Sequence, residues 1–178
     1  MEEQMKNNIV LIGYMGSGKS TIGKKLSVNL GFEFVDTDHC IEAQQDCTIS
    51  EIFATQGEAY FRELETQYLK KSTETLHEAV VSTGGGIVLR EENVKLLQEI
   101  GFVIYLRASQ EVIYQRVKKD TTRPLLQCEN PQEAIAKMLE QRGPIYESAA
   151  NLIVDTNFQS VDEVVAEIIE QLAQRNLL

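Results

Sequence analysis

The chain has 178 residues, of which 43% are hydrophobic and 25% charged, and 27 acidic against 17 basic side chains give it a formal net charge of −10. This is the composition of a soluble globular protein, and a chain of this length can bury a core without disulfides. The acidic excess argues against a general nucleic-acid binder, and no apolar run approaches the roughly 20 residues of a membrane helix. Because its three cysteines lack metal-ligand spacing, we expect a cytoplasmic protein.

Short apolar runs alternate with longer amphipathic stretches along the chain. The runs are rich in Val and Ile, which is typical of strands buried on both faces of a parallel sheet. The predicted strands are Asn8–Ile12, Phe32–Asp36, Ala79–Thr83, Phe102–Leu106 and Asn151–Asp155. Helices are predicted near 19–30, 58–77, 91–99, 109–119, 131–149 and 160–174, with a short helical stretch around 38–55. The alternation favours a doubly wound, three-layer α/β sandwich, with residues 1–178 as one domain.

Capping signals mark the start of several of these helices. Residues 48–51 (Thr-x-x-Glu) and 160–163 (Ser-x-x-Glu) have the spacing of capping boxes. Asn130 stands directly before Pro131, as a capping residue before a proline in the first helical position. These signals indicate where helices begin.

Six of the 11 glycines form two tight groups, and each group directly follows a predicted strand. The first group is Gly13, Gly16 and Gly18, and the second is residues 84–86. In an open parallel sheet, ligands bind beyond the carboxyl ends of the strands. Glycine loops at that edge would let backbone amides approach a ligand closely.

Residues 13–20, GYMGSGKS, match the phosphate-loop pattern G-x-x-x-x-G-K-[ST] in full. The backbone N–H groups of such a loop and the following helix N-terminus cradle phosphates. Lys19 would reach the β- and γ-phosphates, and the Ser20 hydroxyl would bind Mg²⁺. The sequence therefore predicts an ATP site formed by the loop and the start of the helix, namely Gly13, Gly16, Ser17, Gly18, Lys19, Ser20 and Thr21.

The second predicted strand ends in Asp36 and Asp38. Since residues i and i+2 of an extended chain face the same side, both carboxylates would point at one cleft. One could hold a water of Mg²⁺, and the other could orient a substrate hydroxyl for attack. A surface turn with a capping aspartate is an equally open interpretation of this pattern alone.

Three arginines are candidates for anion binding, since an acidic protein that binds anions must concentrate its positive charge. Arg62 and Arg142 lie on predicted helices, where each would also fit an exposed helical position. Arg123 precedes Pro124 at the end of a polar stretch, and it could swing over a bound triphosphate as part of a lid.

Taken together, these motifs resemble those of the shikimate kinase family. The resemblance runs from about residue 8 to 170 and rests on GYMGSGKST at 13–21, Asp-Thr-Asp at 36–38, Phe-Arg-x-x-Glu at 61–65, Gly-Gly-Gly at 84–86, Arg-Pro-Leu-Leu at 123–126 and Arg-x-x-x-Tyr at 142–146. The phosphate loop is shared by many unrelated proteins, whereas the other motifs together are specific.

The resemblance implies a P-loop fold like that of nucleoside-monophosphate kinases, with a five-stranded parallel sheet in the order 2-3-1-4-5. It implies that ATP phosphorylates the 3-hydroxyl of shikimate on the route to chorismate and the aromatic amino acids. It also implies a lid at about 116–128, a shikimate-binding helical region at about 38–65, and a monomer.

By similarity, each candidate residue receives a role. Asp38 would contact the substrate hydroxyls, while Arg62 and Arg142 would hold the carboxylate of shikimate. The loop of Gly84, Gly85 and Gly86 would also bind shikimate.

On the nucleotide side, the resemblance places Arg123 on the phosphates as the lid arginine and Arg116 against the adenine. Ser20 and Asp36 would serve Mg²⁺. Lys19, Asp38 and Arg123 are therefore the predicted catalytic residues.

Two other functions fit parts of the pattern. Another small-molecule P-loop kinase, for gluconate or a nucleoside monophosphate, would share the phosphate loop and the arginines. The triple glycine and the Arg-Pro-Leu-Leu motif favour shikimate over these. A nucleotide-dependent switch would need a residue that positions water, and none stands out.

Overall fold

A five-stranded parallel sheet with helices on both faces forms the frame, in a computed structural model that describes residues 7–120 and 128–178. The strands are β1 (Ile9–Ile12), β2 (Glu33–Asp36), β3 (Ala79–Ser82), β4 (Phe102–Arg107) and β5 (Leu152–Asp155). Their order is β2-β3-β1-β4-β5, and Ile9 of β1 pairs with Val80 on one side and Phe102 on the other. The predicted α/β class and the strand order 2-3-1-4-5 are confirmed.

The helices follow the predicted stretches closely, with one exception. They are α1 (Lys19–Leu30), α2 (Thr37–Gln45), α3 (Ile49–Gln56), α4 (Glu58–Thr75), α5 (Glu91–Ile100), α6 (Gln110–Val117), α7 (Pro131–Ala149) and α8 (Val161–Gln174), with a 3-10 turn at Ile87–Leu89. The stretch predicted as helical around 38–55 is helical, but two helices occupy it instead of one. Asp46 ends α2 in a left-handed conformation, and Thr48 begins α3 in a complete capping box with Glu51.

Side chains of β1 alternate between two hydrophobic clusters on opposite faces of the sheet. Val10 and Ile12 pack with side chains from α4 to α7, whereas Ile9 and Leu11 pack with α1 and α8. The central strands β1 and β3 are buried along their whole length. The outer strands are not, since β2 and β5 each have one neighbour, so the expectation of burial on both faces is wrong for these two.

The remaining capping predictions are confirmed. Ser160 and Glu163 form a complete capping box at α8, and the Asn130 side chain accepts a hydrogen bond from the Glu133 N–H before Pro131 opens α7. Among the helices of the described residues, none is long and apolar enough to cross a membrane.

Asn8 ties together the ends of the sheet away from the two glycine loops. Its side chain is buried, its Nδ2 donates to the carbonyls of Leu76 and Ile100 at 2.9 Å each, and its Oδ1 accepts from the Ala79 N–H at 3.0 Å. These bonds join the start of β1 to the segments that lead into β3 and β4. Gly101 fits here because a Cβ at that position would lie 2.2 Å from the Asn8 carbonyl oxygen.

We expect Asn8→Ala to lower the free energy of unfolding by about 3 kcal/mol, because it leaves buried backbone groups without partners. Urea unfolding monitored by circular dichroism measures this difference. Asn29→Ala is the matched control, since Asn29 makes one exposed bond within its own helix, to the Lys25 carbonyl. Equal losses in the two variants would contradict the role given to Asn8.

Candidate active site

The N-terminus of α1 is built to receive an anion. Gly16 and Gly18 of the preceding loop have φ of 75° and 97°, a region that favours glycine. Among the α-helices of residues 7–120 and 128–178, only α1 has neither a side-chain cap nor an acidic residue in its first turn. Its first N–H groups and the positive end of its dipole are therefore available to phosphate.

Lys19 folds back over this loop. The residue is 8% exposed, and its Nζ donates to the carbonyls of Gly13 at 2.7 Å and Tyr14 at 2.9 Å. These bonds hold a positive charge at the mouth of the loop, where negative charge on a transferring phosphoryl group would need compensation.

Ser20, Asp36 and Ser82 place oxygen atoms side by side at the carboxyl ends of β2 and β3. Ser20 Oγ donates to Asp36 Oδ2 at 3.1 Å and lies 3.4 Å from Ser82 Oγ. The other oxygen of Asp36 accepts from the N–H groups of Asp38 and His39, which fixes the carboxylate at the start of α2. Hard oxygen donors in this arrangement fit Mg²⁺.

A cavity of about 550 Å³ opens next to the phosphate loop. The predicted site residues that share its wall are Asp38, Arg62, Gly84, Gly85, Gly86 and Arg142. They come from α2, α4, the loop after β3 and α7, so residues far apart in the chain meet in one place. Two of the predicted arginines and one of the predicted aspartates therefore face a common space.

Asp38 carries a buried, unsatisfied carboxylate in this cavity. Its Oδ1 has no hydrogen-bond partner among the described residues. Burial, with help from the charges of Asp36 and Glu42, raises the pKa of Asp38 from its ordinary value of 3.8 to about 6, although Lys19 and Arg62 oppose the shift. Such a group favours the approach of a hydrogen-bond donor, such as a hydroxyl.

Arg62 pairs with two carboxylates through its terminal nitrogens and, among the described residues, leaves its Nε unpaired. Its guanidinium pairs with Glu65 at 2.7 Å and with Glu58 at 3.1 Å. These are the helical pairings that an exposed arginine could also make, but only 15% of the Arg62 side chain is exposed. Within the described chain, its buried Nε has no partner. Arg62 therefore keeps a donor for an incoming acceptor.

The triple glycine makes room for these charges. A Cβ on Gly84 would lie 2.7 Å from Asp38 Oδ1, and one on Gly86 would lie 2.4 Å from an Arg62 guanidinium nitrogen. Any side chain at either position would displace a charged group from the cavity wall. Close approach of Asp38 and Arg62 is thus the reason for glycine at 84 and 86.

Glu65 was not among the predicted site residues, yet it lies in the same cavity. Its side chain is fully buried, and its Oε1 has no partner in the part of the chain that the structure describes. Burial raises the pKa of Glu65, while the hydrogen bond from Arg62 opposes the shift. The available signal was its spacing, three residues after Arg62 on a helix, which places both on one face.

Arg116 lies on the other side of the phosphate loop. Its guanidinium donates to the Gly16 carbonyl at 3.0 Å and to the Thr156 carbonyl at 2.8 Å. It lines a second cavity, of about 310 Å³, together with Gly18, Thr21 and Thr156. Arg116 is thus beside the phosphate loop, as a nucleotide-binding residue would be. Arg123 and most of the predicted lid lie outside the described residues.

A third cavity, of about 260 Å³, lies between the other two. It shares Gly16, Gly18 and Thr21 with the Arg116 cavity and shares Asp38 with the Arg62 cavity. Its own wall includes Lys19, Ser20 and Asp36. Because they share wall residues, the three spaces lie next to one another, from Arg116, past the phosphate loop, to Asp38 and Arg62.

Comparisons with known proteins agree with this geometry. The shikimate kinase family model matches residues 15–173. A shikimate kinase of Thermodesulfovibrio yellowstonii is 47% identical over 164 residues, which cover 92% of this chain and 94% of that protein.

Solved structures give the same result. Shikimate kinase from Acinetobacter baumannii in complex with shikimate superposes with a TM-score of 0.90 at 37% identity, over 99% of this chain and 97% of that one. A gluconokinase from Sinorhizobium meliloti, at a TM-score of 0.55 and 22% identity over 94% of this chain and 91% of that one, shares the fold only.

We expect Asp38→Asn to stabilise the protein at neutral pH relative to the wild type. The folded-state pKa of Asp38 lies above its ordinary value of 3.8. Between about pH 4 and 6, the folded chain therefore holds a proton that the unfolded chain has lost. Stability from that proton is present below about pH 4 and is lost as the pH rises through 6.

The gap in unfolding free energy between Asp38→Asn and the wild type should accordingly widen by roughly 1–3 kcal/mol from pH 4 to pH 7. Urea unfolding at several pH values measures it, with Asp162→Asn as a control, because the Asp162 side chain is 77% exposed. A gap that does not change with pH would refute the assignment of a raised pKa to Asp38.

Proposed function

The chain belongs to the shikimate kinase family, and we propose that it transfers the γ-phosphoryl group of ATP to the 3-hydroxyl of shikimate. The products are ADP and shikimate 3-phosphate, on the route to chorismate and the aromatic amino acids. As a member of this family, the protein is an ATP-dependent small-molecule kinase.

The observation that carries the proposal is the set of unpaired polar atoms in the cavity beside the phosphate loop. Asp38 Oδ1 and Glu65 Oε1 are buried acceptors, and Arg62 Nε is a buried donor, each without a partner among the described residues. Shikimate is a cyclic carboxylic acid with several hydroxyl groups. Its hydroxyls supply donors for the two acceptors, and its carboxylate supplies an acceptor for Arg62.

On the nucleotide side, we assign the triphosphate to the loop and helix start that bear Gly13, Gly16, Ser17, Gly18, Lys19, Ser20 and Thr21. The uncapped N-terminus of α1 and the buried ammonium of Lys19 support this assignment. Arg116 is assigned to the adenine side because it lines the cavity there. Arg123 is assigned to the phosphates by family resemblance, within a lid at about 116–128.

Ser20 and Asp36 would hold Mg²⁺, whose charge would offset that of the β- and γ-phosphate oxygens. The support is their adjacent oxygen atoms at 3.1 Å and the fixed orientation of Asp36 at the start of α2.

On the acceptor side, Arg62 and Arg142 bind the carboxylate, and Asp38 and the Gly84–Gly86 loop bind the hydroxyls. The helical region at about 38–65 supplies much of this wall. Planar guanidinium groups suit a carboxylate, because they can donate two parallel hydrogen bonds.

The transfer itself depends on placement and charge. A loose transition state for phosphoryl transfer needs little proton removal, so Asp38 has to orient the hydroxyl in line with the γ-phosphorus. Its raised pKa also allows it to accept the hydroxyl proton as the bond forms. Lys19 balances the negative charge of the migrating group.

Three further assignments complete the proposal. We assign residues 1–178 to one kinase domain, the active species to a monomer, and its location to the cytoplasm. The absence of nucleic-acid and membrane partners is supported by the net charge of −10 and by the apolar pattern of the sequence.

Release of ADP from Mg·ATP, coupled to NADH oxidation, tests the proposed function. We expect ADP with shikimate and only background with gluconate. Faster turnover of gluconate than of shikimate would assign the chain to a different small-molecule kinase. Phosphate release from ATP that shikimate leaves unchanged would instead indicate a nucleotide-dependent switch.

We expect Arg62→Ala to raise the KM for shikimate about 30-fold or more, because a charge-assisted contact to the carboxylate is lost. The KM for ATP should stay within about twofold of the wild-type value, since Arg62 does not line the Arg116 cavity, to which the nucleotide is assigned. Steady-state kinetics with each substrate varied in turn measures both values.

Arg175→Ala is the matched control for Arg62→Ala, because Arg175 lies at the exposed end of α8 and, among the described residues, its side chain bonds to Gln171 of that helix alone. It should leave both KM values unchanged. A shikimate KM that is unaffected by Arg62→Ala would remove Arg62 from the carboxylate site.

A further inference from the structure

Tyr146 is a buried residue whose side-chain hydroxyl reaches the wall of the cavity of about 550 Å³ lined by Asp38 and Arg62, here called the acceptor cavity. It lies on α7, one turn after Arg142, and its ring stacks on Tyr105 with centroids 5.0 Å apart. Its hydroxyl donates to the carbonyl of Gly85, the central residue of the triple glycine. The assignments above leave Tyr146 without a role.

All three carbonyls of the triple glycine are engaged inside the protein. The Gly84 carbonyl accepts from the Ile87 N–H at 3.2 Å, and the Gly86 carbonyl accepts from the Leu89 N–H at 3.1 Å. Both bonds are local to the turn that follows. The Gly85 carbonyl is different, because its donor is a side chain from a helix about 60 residues further along the chain.

The N–H groups of the loop show the opposite pattern. The Gly84 N–H donates to the Thr37 hydroxyl at 3.3 Å, whereas those of Gly85 and Gly86 have no partner among the described residues. Both residues line the acceptor cavity, and Gly86 is buried. Buried N–H groups are nearly always paired, so the unpaired Gly86 donor is suited to a ligand oxygen.

The bond from Tyr146 sets the direction of one of these donors. In a planar trans peptide, the Gly85 carbonyl and the Gly86 N–H point in opposite directions. With the carbonyl held on the Tyr146 hydroxyl, the Gly86 N–H points away from that hydroxyl. Arg62 packs against the same glycine, where a Cβ would lie 2.4 Å from its guanidinium.

The Gly85–Gly86 peptide needs a restraint from outside the loop, because neither its carbonyl nor its N–H bonds to the turn that follows. Asp38 and Arg62 exclude side chains at 84 and 86, and glycine has no strong backbone preference, so a Gly-Gly peptide can rotate at low cost. Burial raises the pKa of Tyr146 to about 12, against the opposing effect of Arg142, so the hydroxyl remains a donor at neutral pH.

We propose that Tyr146 is a positioning residue for the phosphoryl acceptor: its hydroxyl fixes the Gly85–Gly86 peptide so that the Gly86 N–H faces an oxygen of the bound substrate. The same side chain links this peptide to the helix that carries Arg142. The inference rests on the proposed function, since the acceptor is taken to be shikimate.

Tyr146→Phe in the full-length chain tests this inference, with Tyr105→Phe as the matched control. Each variant removes one hydroxyl from the same buried ring stack, but only Tyr146 bonds to the loop. We expect Tyr146→Phe to raise the shikimate KM about tenfold, the effect of one hydrogen bond, and to leave the ATP KM within about twofold. Tyr105→Phe should leave both values unchanged.

Calorimetric titration with shikimate in the absence of ATP compares the shikimate affinity of the two variants without turnover. This comparison tests the inference even if the wild type forms no ADP and the proposed function fails. Equal shikimate affinity in the two variants, or a loss of shikimate and ATP affinity together, would overturn the inference. Should Tyr146→Phe not fold, Tyr146→Met removes the donor and has a flexible apolar side chain that adapts to the space left by the ring, and its shikimate affinity decides the question.

Discussion

The charged side chains of Asp38, Arg62 and Glu65 surround a glycine loop and are only partly paired with one another. Their unpaired atoms determine which ligand the acceptor cavity can bind. Each side chain leaves one polar atom without a partner among the described residues. Burying such groups costs free energy, which a ligand with complementary groups would recover on binding. Without a ligand, the folded protein is therefore less stable than it would be with apolar groups at these positions. The sheet offsets this cost, because Asn8 and the buried strands β1 and β3 stabilise the fold.

Parallel strand topology explains why this unfavourable cluster lies next to a phosphate site. The carboxyl ends of β1, β2 and β3 meet at one edge of the sheet. The phosphate loop follows β1, Asp36 ends β2, and the triple glycine lies just after β3. The acceptor cavity and the cavity at Lys19 and Ser20 consequently share Asp38, Gly84 and Gly85. Helices α4 and α7 then complete the acceptor wall with Arg62 and Arg142, and they also bring in the hydroxyl of Tyr146.

Prediction from sequence worked best where the signal was local. The phosphate loop, the capping boxes and the strand positions each depend on residues within a few positions of one another, and each is found where expected. The break between α2 and α3 was missed, although the capping signal at Thr48 marked it, because no glycine or proline separates the two helices. Partial exposure of β2 and β5 was missed because an apolar run does not show whether a strand lies at the edge of a sheet.

The sequence alone therefore determined the fold class, the phosphate loop and the family to which the chain is similar, since all three are carried by short motifs in order along the chain. Only the tertiary structure decided which polar atoms stay unpaired, that Glu65 belongs to the cavity, and that Tyr146 holds the Gly85 carbonyl. The physical reason is that hydrogen bonding and desolvation depend on distances between residues that are remote in the chain. Tyr146 and Gly85 are 61 positions apart, and packing alone brings them together.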